Sequence, residues 1–74
     1  MTQTKSFYVI ISNVDDRFYA RAWDKYSPWV DNLELADKFH TEHGAELAIT
    51  RDGIDRSTVD IVPVRVTYDV IRKR

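Results

Sequence analysis

The sequence predicts an α+β fold, a three-stranded and mainly antiparallel ββαβ sheet with one main helix packed on one face. Three observations carry that expectation. The stretch Thr58–Arg74 is dominated by valine, isoleucine, threonine and tyrosine, residues that suit a pleated surface. Two shorter strand-like runs precede it, separated by the turn formers Asn13-Val14-Asp15-Asp16. Between these runs and the last strand, Ala45, Ala48 and Ile49 recur at helical spacing.

Lys5–Ser12 reads as the first strand. Phe7, Val9 and Ile11 fall on one face and Tyr8 and Ile10 on the other, so both faces are apolar and the strand is expected to be central. Arg17–Trp23 reads as its hairpin partner. Here Phe18, Ala20 and Ala22 alternate with Arg17, Tyr19, Arg21 and Trp23. The small alanines leave room for a helix, and burying Arg21 unpaired would be costly. The helix is therefore expected over the alanine face, although the opposite assignment keeps the same alternation.

Asp24–Asp31 is a connection, since Ser27 precedes Pro28 and is biased away from helix. Asn32 can cap a short helical turn over Leu33–Phe39, and Thr41 can cap the main helix Glu42–Arg51. Gly44 in the first turn is a poor helix former, and Gly53 suits the end of the helix. In the last strand Val59 and Ile61 are odd-numbered, whereas Val64, Val66, Tyr68 and Val70 are even-numbered. That parity switch predicts a β-bulge at Val62-Pro63. The expected core is Phe7, Val9, Phe18, Ala20, Phe39, Ala45, Ala48, Ile49, Val64 and Val66.

Seventy-four residues make one domain, 1–74, whose core is small enough for a homodimer contact to contribute stability. With 43% hydrophobic and 31% charged residues the composition is that of a globular chain. There is no cysteine, which excludes disulfides and thiolate metal sites and makes a cytoplasmic location the expectation. The apolar run Phe7–Ile11 is too short for a signal peptide or a membrane span, so no membrane association is expected. The net charge of −1 is unevenly spread. Asp31, Glu34, Asp37, Glu42 and Glu46 face only Lys38, while Arg65, Arg72, Lys73 and Arg74 crowd the C-terminal stretch. That layout lacks the dominant basic surface of a duplex binder.

The chain from Tyr8 to Ile49 has a recognisable pattern. A Tyr8-Val9-Ile10 strand is followed by Phe18-Tyr19 and Trp29-Val30, then by Leu33, Ala36, Phe39, Thr41, Ala45 and Ala48 at fixed offsets. This resembles the small ββαβ proteins encoded in accessory regions of phages and prophages of Gram-positive bacteria. The resemblance lies in core positions and implies a fold. It also implies a small protein that engages a host protein, in some cases to inhibit a defence or nucleic-acid-handling enzyme. It carries over no catalytic residue.

No catalytic signature stands out. Two glycines cannot build a phosphate loop, and the serines have no neighbouring histidine in sequence. Asp37, His40 and His43 are chemically legitimate zinc ligands, but their i, i+3, i+6 spacing diverges around a helix, so neither metal nor cofactor is expected. The expected protein-binding surface has two parts. One is an uncovered sheet face bearing Tyr8, Ile10, Tyr19, Arg21, Trp23, Arg65, Thr67 and Asp69, rich in the residue types of interface hot spots. The other is the acidic segment with Glu34, Asp37, Glu42 and Glu46, which could imitate phosphates in a basic groove. The expectation is thus a non-enzymatic host-protein binder. The alternative is a single-stranded nucleic-acid module using the same face plus Arg72, Lys73 and Arg74.

Overall fold

Hydrogen bonding along one central strand organises the molecule. The structure, a computed structural model, describes residues 2–24 and 26–69. It contains β1 (Thr2–Ser12), β2 (Phe18–Tyr19), β3 (Trp29–Val30), a 3₁₀ turn (Leu33–Leu35), α1 (Glu42–Arg51), a second 3₁₀ turn (Arg56–Thr58) and β4 (Val59–Asp69). The fold is α+β with an antiparallel sheet of order β3-β2-β1-β4, and β1 lies inside it as its two apolar faces require. The fourth strand, β3, lies within the expected Asp24–Asp31 connection, where Trp29 and Val30 pair with Tyr19 and Phe18. None of the helices among the described residues is long and apolar enough to cross a membrane.

The caps read from sequence hold the helical segments. The first, however, is a 3₁₀ turn that stops at Leu35 instead of running to Phe39, because Ala36 is extended and Phe39 bridges to Tyr8. Asn32 accepts a hydrogen bond from the Glu34 amide, and the Thr41 hydroxyl accepts one from Gly44 at 3.0 Å. Gly53 ends α1 with φ +68°, a conformation glycine adopts without a Cβ penalty.

The second strand is shorter than Arg17–Trp23. The Ala20 amide bonds to the Pro28 carbonyl, and the Ala20 carbonyl accepts from Trp23, which folds residues 20–24 into a turn. The Asp37 carboxylate fixes that turn by accepting from the amides of Arg21 and Ala22 at 3.1 and 3.3 Å. Arg21 and Trp23 therefore leave the sheet altogether.

This departure reverses the expected covering. Helix α1 packs on the face that carries Ile10, Tyr19 and Val59, not on the alanine face. The objection to burying that face was Arg21, and Arg21 is in the turn. Tyr19 is only 4% exposed and is edge-on to Trp29, with ring centroids 5.2 Å apart. The opposite face is covered as well, because Leu33 and Ala36 pack over Phe7, Val9, Phe18, Val62, Val64 and Val66.

A sheet covered on both faces also removes the bulge. β1 and β4 pair without interruption, including Tyr8 with Pro63 and Val9 with Val62. The parity switch marks a change in which face is covered: Val59 and Ile61 lie toward α1, and Val62, Val64 and Val66 toward the 33–36 segment. Pro63 fits for a separate reason. Tyr8 exchanges backbone hydrogen bonds with Phe39, at 2.8 and 2.9 Å, so the Tyr8 backbone faces away from β4. Its partner Pro63 is then in a non-hydrogen-bonded pair, and the N–H that proline lacks would have pointed to the free edge of the sheet.

Of the expected core, Phe7, Val9, Ala20, Ala45, Ala48 and Ile49 are buried, while Phe18, Phe39, Val64 and Val66 are half-buried. Ile10, Tyr19, Ala36 and Val59 complete the core. The first, second and fourth of these belong to the face that α1 covers.

Candidate functional site

The turn at residues 20–24 and the C-terminal end of α1 meet around Asp52. Asp52 terminates the helix, its amide bonding back to the Ala48 and Thr50 carbonyls. Its side chain is 8% exposed and binds three groups. Tyr19 Oη donates to Oδ2 at 2.6 Å, Arg51 forms a bidentate pair through Nε and Nη2 at 2.8 and 2.9 Å, and Arg21 Nη1 lies 3.2 Å from Oδ1. The Arg51 guanidinium bonded to it, helped by Tyr19 and Arg21, holds the Asp52 carboxyl down at about 2 despite its burial. Burial and the hydrogen bond to Asp52 push the Tyr19 hydroxyl up to about 12. Arg51 is in turn held protonated, its pKa raised by the hydrogen bond to Asp52.

Beside this cluster runs an open groove of about 560 Å³, lined by Arg21, Ala22, Asp37, Lys38, Phe39 and Arg51. Phe39 and Ala22 supply apolar surface, and both arginines remain about half exposed although they share Asp52. Lys38 Nζ donates to the Glu34 and Ala36 carbonyls and sits 5.7 Å from the centre of the Phe7 ring. Trp23, one residue past Ala22, is 63% exposed, and Tyr26 further along the loop is exposed as well.

The anticipated aromatic sheet face does not form. Tyr19 is core, Tyr8 is half-buried beneath its bridge to Phe39, and Ile10 is fully buried under α1. Arg21 and Trp23 are exposed, but from the turn rather than the sheet. Arg65 and Thr67 are exposed on β4, remote from that turn along the strand. Asp69 pairs with Thr2 through its backbone, and its side chain lies outside the described residues, as do Arg72, Lys73 and Arg74.

The acidic segment is dispersed rather than gathered. Asp37 is spent on the amides of Arg21 and Ala22, Glu46 pairs with Arg56 at 3.0 Å, and Asp31 lies 3.4 Å from Arg17. Glu34 and Glu42 are exposed on separate helical segments. Asp37, His40 and His43 do not converge, and among the described residues no three His, Cys, Asp or Glu side chains are grouped to hold a metal ion.

Sequence reasoning missed Asp52 and Arg51. Gly53 was legible as a helix stop, but nothing local says that the carboxylate of the preceding Asp52 receives a tyrosine 33 residues upstream. Comparison with protein-family models, with curated proteins and with solved structures gave no match to this chain.

Proposed function

We propose that the protein is a non-enzymatic binding module that engages a partner protein through the turn at residues 21–24 and the adjacent arginine-lined groove. The observation that carries this reading is Trp23, 63% exposed next to a groove flanked by Arg21 and Arg51. Tryptophan and arginine dominate interface hot spots, and an indole left in water gains most from a partner that covers it. The turn is held by Asp37 and its arginine by Asp52, so the contact surface is preorganised and loses little freedom on binding.

The titration of the cluster favours binding over acid–base work. Asp52 and Tyr19 are both displaced away from neutrality, to about 2 and about 12, and a proton-transfer group works best with its pKa near the working pH. Through the resemblance to phage accessory proteins, a bacterial host protein or complex is the partner class to test first.

The test is affinity capture from a bacterial lysate with the tagged protein and with Trp23→Ala, each first shown to be folded by circular dichroism. A specific partner retained by the parent chain and lost with Trp23→Ala is expected. Equal capture by both overturns the assigned surface. Tight binding of single-stranded DNA or RNA at low salt, lost in Trp23→Ala and in Arg21→Ala, would replace the protein partner by a nucleic acid, since the same indole could stack a base.

A further inference from the structure

Among the described residues, neither α1 nor the 33–36 segment reaches the far end of the β1–β4 ribbon beyond Val66. At about 3.4 Å per residue an eleven-residue strand reaches about 35 Å, while ten helical residues span about 15 Å. Helix α1 meets the ribbon at Ile10, Val59 and Ile61, and the cluster of the 33–36 segment takes in Phe7 and Val9 on β1 and Val62, Val64 and Val66 on β4. Gln3, Thr4, Lys5 and Ser6 on β1 and Arg65 and Thr67 on β4 are exposed. The molecule is accordingly 52 Å long and only 22 by 20 Å across, with a radius of gyration of 14.4 Å. A compact chain of this length would have about 11 Å. Two strands without further support are marginal in water, and a third or fourth is needed to hold them.

The missing strands have a defined place. β4 is an edge strand. Since Pro63 faces the free edge, the alternate residues Arg65 and Thr67 present their N–H and C=O groups there too. The outer edge of β1 is less open, because Phe39 pairs with Tyr8 and a recess lined by Lys5, Phe7, Lys38, Phe39 and His40 flanks it.

We propose that the outward edge of β4 around Arg65–Thr67 pairs antiparallel with β4 of a second copy, forming a two-fold dimer through one continuous sheet. A two-fold axis at Val66 places Arg65 opposite Thr67 of the other copy and keeps the two Arg65 side chains apart, where like charges opposite one another would be destabilising. It also sets Val66 against its symmetry mate, extending the apolar strip of Val64 and Val66, both half-buried in the single chain. The ribbon then has four strands where it had two. Pro63 blunts the edge nearer the body and leaves the pairing to residues 65–67. None of this uses the Trp23 loop.

The test takes its design from Pro63. Thr67→Pro removes an outward N–H at a position equivalent to one where proline already sits, so the β1–β4 ladder is kept. Sedimentation equilibrium of the full chain should give twice the chain mass for the parent and the single-chain mass for Thr67→Pro, with the same far-UV circular dichroism. Amide exchange of the parent chain gives an answer even if that variant fails to fold: Arg65 and Thr67 should be protected like the inward amides of Val64 and Val66. A parent chain that stays monomeric from micromolar to millimolar concentration overturns the proposal. So does a dimer in which the Arg65 and Thr67 amides exchange freely, or one that a folded Thr67→Pro leaves intact.

Discussion

The phenol of Tyr19 and the carboxylate of Asp52, 33 residues apart in sequence, meet at 2.6 Å and lock the sheet to the end of the helix. A hydrogen bond to a charged group contributes about 1.5–3 kcal/mol. Tyr19→Phe keeps the ring against Trp29 and removes only this bond, so a loss of about that size is expected in urea denaturation.

The same pair sets the pH dependence of stability. Asp52 is depressed from 3.8 to about 2 on folding, so its contribution is complete above about pH 4 and is lost as pH falls through 2. Tyr19 is raised from 10.0 to about 12, so its contribution is complete below about pH 10 and is lost as pH rises through 12. Stability measured against pH should fall at both ends. Tyr19→Phe should abolish the Tyr19 component of the alkaline fall while leaving an acid fall, because Arg51 and Arg21 still depress Asp52. An alkaline limb unchanged in Tyr19→Phe would refute the assignment.

Elements governed by local chemistry were legible in the sequence, and those governed by distant contacts were not. The caps Asn32 and Thr41, the span of α1 and the stop at Gly53 depend on neighbours within a few residues, and all are found where the sequence places them. The face that α1 covers depends on where β2 stops. That is decided by Asp37, which captures the amides of Arg21 and Ala22 from sixteen and fifteen residues away. Once the strand ends at Tyr19, the alternation of Arg21 and Trp23 carries no information about the sheet. The parity switch at Val62-Pro63 was real, but a sheet covered on both faces produces it as readily as a bulge. For the candidate site, the exposed Trp23 and Arg21 were visible as residue types, whereas Asp52 and Arg51 enter only through the tertiary fold.

The two glycines should respond oppositely to alanine. A Cβ at Gly44 would meet the Thr41 hydroxyl at 3.4 Å and Phe39 no closer than 3.9 Å, ordinary van der Waals contact. Gly44→Ala should therefore stabilise the helix by about 0.5–1 kcal/mol. Gly53 has open space around it but sits at φ +68°, so Gly53→Ala should cost about 1 kcal/mol from backbone strain. Thermal melts of both variants give the comparison, and destabilisation by Gly44→Ala would mean that the cap cannot tolerate the methyl group.

The uninterrupted register of β4 makes a sharp prediction at neighbouring positions. Pro63 faces the free edge, so Pro63→Thr should leave the β1–β4 ladder intact and change stability by less than about 1 kcal/mol. Val62 lies opposite Val9 in a hydrogen-bonded pair, so Val62→Pro removes an internal bond and should cost about 3 kcal/mol or more. Equal effects of the two substitutions would restore the bulge.

The two tryptophans separate packing from binding. Trp29 is half-buried, edge-on to Tyr19 and part of the cluster under α1. Trp23 is largely in water on the turn that Asp37 holds by its backbone amides, not by the indole. Trp29→Ala should therefore lower stability by about 2–4 kcal/mol. Trp23→Ala should stay within about 0.5 kcal/mol of the parent chain and yet lose the captured partner. Asp37→Ala provides the link between the two behaviours, because it frees the turn without removing the indole. It should weaken partner capture through lost preorganisation, even at temperatures where the variant is fully folded. If Trp23→Ala instead destabilises as strongly as Trp29→Ala, the indole is a packing residue and the loop is not the contact surface.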